Sequence, residues 1–170
     1  MKIRTDFVTN SSSSSFILNF QSKDNILSDI ADCFTLDEVD YCTCLMNNVA
    51  ESKMYKASEV CEMIDNFNPN NYNVDDLVDG TLKTLYYRAK YLAAKNRETD
   101  VISSYEWLKT DDGKAESMKL FRKIVETIYE CDPDSIITAV EFEDHTNIGA
   151  EMESEIMPWR NFTILSVSNH

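Results

Sequence analysis

The residues best suited to chemistry lie towards the C-terminal end. Glu141, Glu143 and Asp144 precede His145, and Glu151, Glu153 and Glu155 alternate soon after. Carboxylates with one imidazole are suitable ligands for Mg²⁺, Mn²⁺ or Ca²⁺. An ion held there would polarise a phosphate and generate hydroxide, the chemistry of a divalent-metal-dependent phosphoester hydrolase. In extended chain, alternate residues share a face, so Glu151, Glu153 and Glu155 are expected to point the same way. No His-Glu-x-x-His motif and no EF-hand loop accompanies them, and a run of acids is also what a solvated face looks like. The candidate metal ligands are Glu141, Glu143, Asp144, His145, Glu151 and Glu153; no catalytic residue is assigned.

A second constellation is basic and aromatic. Lys83, Tyr86, Tyr87, Arg88, Lys90, Tyr91, Lys95 and Arg97 fall within one helical pattern, and Tyr87 and Tyr91, four apart, are neighbours on its surface. Cations interleaved with stacking rings are what nucleotide and single-stranded nucleic-acid sites use. Lys83, Tyr87, Arg88, Lys90 and Tyr91 are the candidate contacts, with Lys119, Arg122 and Lys123 able to extend the patch. The same cations can instead pair with acidic flanks, leaving the tyrosines half-buried at the helix edge.

The third is the serine run Ser11–Ser15, whose hydroxyls and backbone N–H groups could hold an anion in a turn. Ser11, Ser12 and Ser13 are the candidates. The run lacks the glycines and the lysine of a phosphate-binding loop, and it reads equally as a polar hairpin loop. Asp6-Phe7-Val8-Thr9-Asn10, Ser11–Ser15 and Phe16 together resemble the N-terminus of a group of uncharacterised proteins from low-GC Gram-positive bacteria and their mobile elements. That resemblance spans about the first tenth of the chain; it implies a source and no activity.

Five cysteines, Cys33, Cys42, Cys44, Cys61 and Cys131, lack the spacing of a disulfide framework or a zinc site. Cys42 and Cys44, two apart in an expected helix, diverge by about 200° and do not chelate together. With no apolar signal core after the N-terminal alternation, reduced thiols in a cytoplasmic protein are expected. No run of about 18 apolar residues calls for a membrane span. No Gly-x-Ser-x-Gly elbow accompanies His145.

Charge limits the partners. The 170 residues carry 30 acidic and 16 basic groups, a formal net charge of −14. That field disfavours DNA and anionic membranes and suits docking onto a basic surface. The distribution is uneven: residues 1–82 hold 5 basic and 14 acidic groups, residues 83–123 hold 10 and 6, and residues 124–170 hold 1 and 10.

These residues must be positioned by a mixed fold. Ile3, Thr5 and Phe7, then Phe16, Leu18 and Phe20, alternate as two strands of an N-terminal hairpin over 1–20. Helical spacing follows through 24–130: Ile26, Leu27 and Ile30; a capping box Thr35–Glu38; Val60, Met63, Ile64 and Phe67; a long stripe from Val74 to Ala93; a stretch at about 100–108; and Met118, Phe121, Val125 and Ile128 in a helix from about Lys114, after the break at Asp111-Asp112-Gly113. Ile136, Thr138, Val140 and Phe142 form a third strand and 162–167 a fourth, within 135–168. The expected fold is α+β in one domain over 1–170: a small antiparallel sheet from both chain ends, packed with a helical middle. The leading functional expectation is a non-enzymatic cytosolic protein-binding module with a basic protein surface as partner. The alternatives are the metal-dependent hydrolase, with a divalent cation as its sole cofactor, and nucleotide or single-strand binding on the tyrosine helix.

Overall fold

The computed structural model describes residues 13–70, 77–97, 102–143 and 146–168. Strands β1 (Ser13–Phe20), β2 (Met54–Lys56), β3 (Ile136–Glu143) and β4 (Thr163–Ser168) form an antiparallel sheet in the order β2-β3-β1-β4. β1 pairs with β3 from Ser13↔Glu143 to Phe20↔Ile136 and with β4 from Ser14↔Ser168 to Leu18↔Thr163, with a bulge between Ile17 and Leu18. β3 and β4 are thus the neighbours of β1 on its two sides. The hairpin's first expected strand, residues 3–7, lies outside the described residues. β2 is an element that the helical patterns did not reveal; among the described residues it pairs with Ile136–Thr138.

Phe16-Ile17-Leu18-Asn19-Phe20 is apolar on both faces, as a strand buried from both sides requires. Phe16, Leu18 and Phe20 join Val140 and Phe142 in one core, beneath Ile26 and Ile30 of α1 (Ile26–Ala31) and Leu45 and Val49 of α2 (Val39–Glu51). Ile17, Ile137 and Ala139 join the other. There they meet Val60 and Ile64 of α3 (Ala57–Asp65), Leu82, Leu85 and Ala89 of α4 (Leu77–Lys95), Phe121 of α6 (Asp111–Ile124) and Ile128 of α7 (Glu126–Tyr129). The fold is therefore α+β, with the sheet between two helical layers. Each Phe, Leu or Ile taken fully from water contributes about 1.5–3 kcal/mol, so the two apolar faces dominate its stability.

Local signals set several boundaries. The Thr35 N–H donates to the Glu38 carboxylate at 2.9 Å, as the capping box requires. Asn68 closes its loop by accepting from the Asn70 N–H at 3.0 Å. Asp111-Asp112-Gly113 is not a break but the first turn of α6, because the Thr110 hydroxyl accepts from the Gly113 N–H at 3.1 Å. The two aspartates there, with Arg122 and Lys123 in the last turn, complement the helix dipole. Of the stretch expected at 100–108, the described residues hold the short α5 (Ser104–Trp107).

Candidate functional site

Past Thr138, β3 runs on to Glu143 with no strand on its outer side among the described residues. A groove of about 800 Å³ opens there. One wall is Cys44 and Asn48 of α2; the other is the turn Thr146–Gly149, and Glu141, Phe142 and Glu143 form the floor. The Thr146 hydroxyl caps α8 (Asn147–Glu151) by accepting from the Gly149 N–H at 2.9 Å. Gly149 is required because α8 lies directly against the end of β3: a Cβ at that position would come within 1.9 Å of the Glu143 carbonyl oxygen.

Glu141 and Glu143 are exposed and share one face of β3, since Ser15 and Ser13 are their cross-strand partners. Glu151 and Glu153 do not continue that face. The segment expected to be extended is instead α8 followed by a wide helical turn at Met152–Ile156. Burial of Met152 and Met157 drives the change, because both reach the core only if the chain coils. Glu151, Glu153 and Glu155 therefore do not share a strand face. Glu153 accepts from the Ser14 hydroxyl at 2.5 Å, on the sheet face of Phe16 and Phe142, opposite that of Glu141 and Glu143. Asp144 and His145 lie outside the described residues. Among the described residues no group of three or more His, Cys, Asp or Glu side chains is placed to hold a metal ion.

The serine run also changes character. Ser11 and Ser12 lie outside the described residues, whereas Ser13–Ser15 belong to β1 rather than to a loop. Pairing of Phe16–Phe20 on both sides carries the ladder back through them, and Ser14 and Ser15 are buried.

On α4 the basic face assembles in part. The Tyr87 ring has the Lys83 ammonium 6.0 Å and the Lys90 ammonium 5.7 Å from its centroid, and Tyr91 is 66% exposed. Arg88 is exposed, one residue and about 100° further round the helix. Tyr86 leaves this face altogether, packing at 5.7 Å from Phe67 and 5.9 Å from Phe121 in the core.

Arg160, the single cation after residue 123, is committed to structure. Its guanidinium donates to the Cys33 carbonyl at 2.5 Å, meets Glu38 at 3.3 Å and lies 4.4 Å from the Phe34 ring centroid. The Thr35 N–H, with Arg160 beyond it, holds the Glu38 carboxyl below the usual carboxylate range. All five cysteines are free thiols, and burial pushes those of Cys33, Cys44, Cys61 and Cys131 up, away from the reactive thiolate.

The groove walls were missed in the sequence. Thr146 with Gly149 three residues on carries a helix-start signal, but nothing local ties Cys44 and Asn48 to β3. No family model, curated protein or solved structure matches the chain. No helix among the described residues is long and apolar enough to cross a membrane.

Proposed function

We propose that this chain is a non-enzymatic cytosolic interaction module, of bacterial or mobile-element origin, that engages a basic protein surface. One observation carries the reading: the groove beside β3 is lined by two exposed carboxylates, Glu141 and Glu143, and by no Lys or Arg among the described residues. The chain's charge of −14 supports it, as does the engagement of Arg160 elsewhere. Opposite charge in the partner would steer encounter and weaken with ionic strength, because the screening length falls from about 30 Å at 0.01 M salt to about 8 Å at 0.15 M. The bacterial source rests on the resemblance of residues 6–16. The test is a salt titration of binding to a lysine homopolymer and to basic proteins captured from a bacterial lysate. Affinity should fall steeply with salt; salt-insensitive association, or no basic protein captured, would sink the reading.

A second reading has its own support in the Lys83–Tyr87–Lys90 arrangement beside exposed Tyr91, which suits a stacked base. The net charge opposes it. Arg88→Ala and Lys90→Ala should each weaken oligonucleotide binding if this face is used; unchanged binding excludes it.

A further inference from the structure

We infer that Leu36 and Trp159 anchor an amphipathic, cationic segment of the partner, its apolar side chains seated on them and its Lys or Arg side chains on the aspartates nearby. This rests on the acidic-module reading and specifies where the partner docks and what it carries besides charge.

Leu36 is 92% exposed and Trp159 is 82% exposed. Single apolar groups on a surface are ordinary, whereas a contiguous set marks an interaction site. These two are brought together by the chain on either side of them. Arg160 reaches the Cys33 carbonyl, the Phe34 ring and the Glu38 carboxylate. The Cys33 thiol donates to the Asn161 side-chain oxygen at 3.4 Å. Leu36 lies between Phe34 and Glu38 in sequence and Trp159 precedes Arg160, so both belong to one stretch of surface. Val39, 54% exposed at the start of α2, extends it. The chain beneath is also held firmly, since Glu38 closes the Thr35 cap and is tied again to Arg160. A surface fixed before binding loses less entropy on binding, and tryptophan is prominent among the residues that dominate interface energy.

Charge selects the occupant. Asp24, Asp29, Asp32, Asp37, Glu38 and Asp40 fall in one run of sequence that holds no Lys or Arg, and Asp32, Asp37 and Asp40 are exposed. Arg160, the cation of the brace, already meets Glu38. A segment covering the patch therefore finds apolar side chains flanked by carboxylates, and its complement is Leu or an aromatic residue flanked by Lys or Arg. An isologous dimer fits poorly, because it would set these aspartates against their own counterparts. The same charges disfavour an anionic membrane, the other surface that an exposed tryptophan suits.

The probe is the capped peptide Lys-Leu-Lys-Lys-Leu-Lys-Lys, with Ser-for-Leu and Glu-for-Lys analogues and a lysine homopolymer beside it. Affinity is read by fluorescence anisotropy at about 0.15 M salt, where charge alone is largely screened. Burial of Trp159 is read from its emission in a Trp107→Phe chain, which leaves Trp159 as the sole tryptophan. The expected result is saturable binding of the Leu peptide, about tenfold or more tighter than its Ser analogue, with a blue shift of Trp159. Leu36→Ser and Trp159→Ser should each weaken the Leu peptide about fivefold or more and leave the homopolymer unaffected. Both side chains are exposed, so the variants should fold; should the Trp107→Phe chain not fold, anisotropy with the native tryptophans decides alone. If the homopolymer binds at low salt but the Leu and Ser peptides bind alike, or both variants bind as the native chain does, the anchor inference falls while the acidic-module reading stands. If neither homopolymer nor peptide binds at low salt, both fall. Equal binding of the Glu-for-Lys analogue would overturn the cationic occupant. A concentration-dependent dimer that Trp159→Ser dissolves, or a blue shift with phosphatidylcholine vesicles, would name a different occupant and overturn the inference.

Discussion

The Ser14 hydroxyl donates to the Glu153 carboxylate at 2.5 Å, joining the serine run to the acidic segment across 139 residues of sequence. Ser14 is 2% exposed, so the bond forms away from bulk water at the end of the central strand. It turns two stretches that each suggested a ligand site into a structural tie between β1 and the turn after α8. Hydrogen bonds to charged groups contribute about 1.5–3 kcal/mol, and Ser14→Ala is expected to lower unfolding stability by an amount in that range. A double-mutant cycle with Glu153→Gln in denaturant melts should give a coupling of about 1 kcal/mol or more. Additive losses would mean that the pair does not stabilise the fold.

Glycine substitutions should run against their usual sign. Gly→Ala inside a helix ordinarily stabilises by about 0.5–1 kcal/mol. A Cβ at Gly113 would lie 2.2 Å from the Trp107 carbonyl oxygen, and one at Gly149 would meet the Glu143 carbonyl oxygen at 1.9 Å. Both contacts are with backbone, which cannot turn aside as a side chain would. Gly113→Ala and Gly149→Ala are each expected to cost about 1–3 kcal/mol by overpacking. Thermal melts check this, and an unchanged or higher midpoint for either would contradict the close approach.

Burial, and then the hydrogen bond to Asp65 at 2.6 Å, push the Tyr129 phenol up to about 12. The unfolded chain releases this proton near pH 10, so between about 10 and 12 the folded state binds more protons than the unfolded state. The contribution is fully present below pH 10 and is lost as pH rises through 12. Tyr129→Phe should therefore flatten the alkaline loss of stability while lowering stability at neutral pH by about 0.5–1.5 kcal/mol. Absorbance titration at alkaline pH should show one late-titrating tyrosine disappearing in the variant.

Divalent cations should leave the melting temperature unchanged if the acidic segment serves a protein partner. A bound ion at a hundredfold excess over its dissociation constant would add about 2.7 kcal/mol, a shift that is easily read. Melts with Mg²⁺, Mn²⁺ or Ca²⁺ against chelator provide the measurement. A rise that Asp144→Ala removes would replace the interaction module with the metal-dependent hydrolase.

Exchanging Phe121 for Ala should be among the most damaging single changes. Its ring is fully buried and contacts Phe67 at 4.8 Å and Tyr86 at 5.9 Å between centroids, joining α6 to α4. A loss of about 3–5 kcal/mol is expected in denaturant melts, from lost burial and the cavity left behind. A loss below about 1 kcal/mol would show that this core collapses around the gap.

Much of the architecture is local in origin and was legible from residue order. Phe16-Leu18-Phe20 and Ile136–Phe142 carry the two-residue period of strands, and Leu82, Leu85, Ala89 and Ala93 the helical period of α4, because burial on one side selects those spacings. Thr35–Glu38 marked a helix start, since both partners of that cap lie within four residues. Segments carrying two patterns at once misled. Glu151, Glu153 and Glu155 alternate like a strand, yet Met152 and Met157 decide the conformation because their burial outweighs the placing of exposed charges. Asp111-Asp112-Gly113 resembles a turn until Thr110 caps it. What only the tertiary structure decided is adjacency: that β1 lies between β3 and β4, that Ser14 meets Glu153, and that α2 lines a groove beside β3. Contacts across more than a hundred residues leave no local period, and a strand's sequence does not name its neighbours. The acidic charge was written in the composition; the groove that sets Glu141 and Glu143 beside α2 arose only on folding.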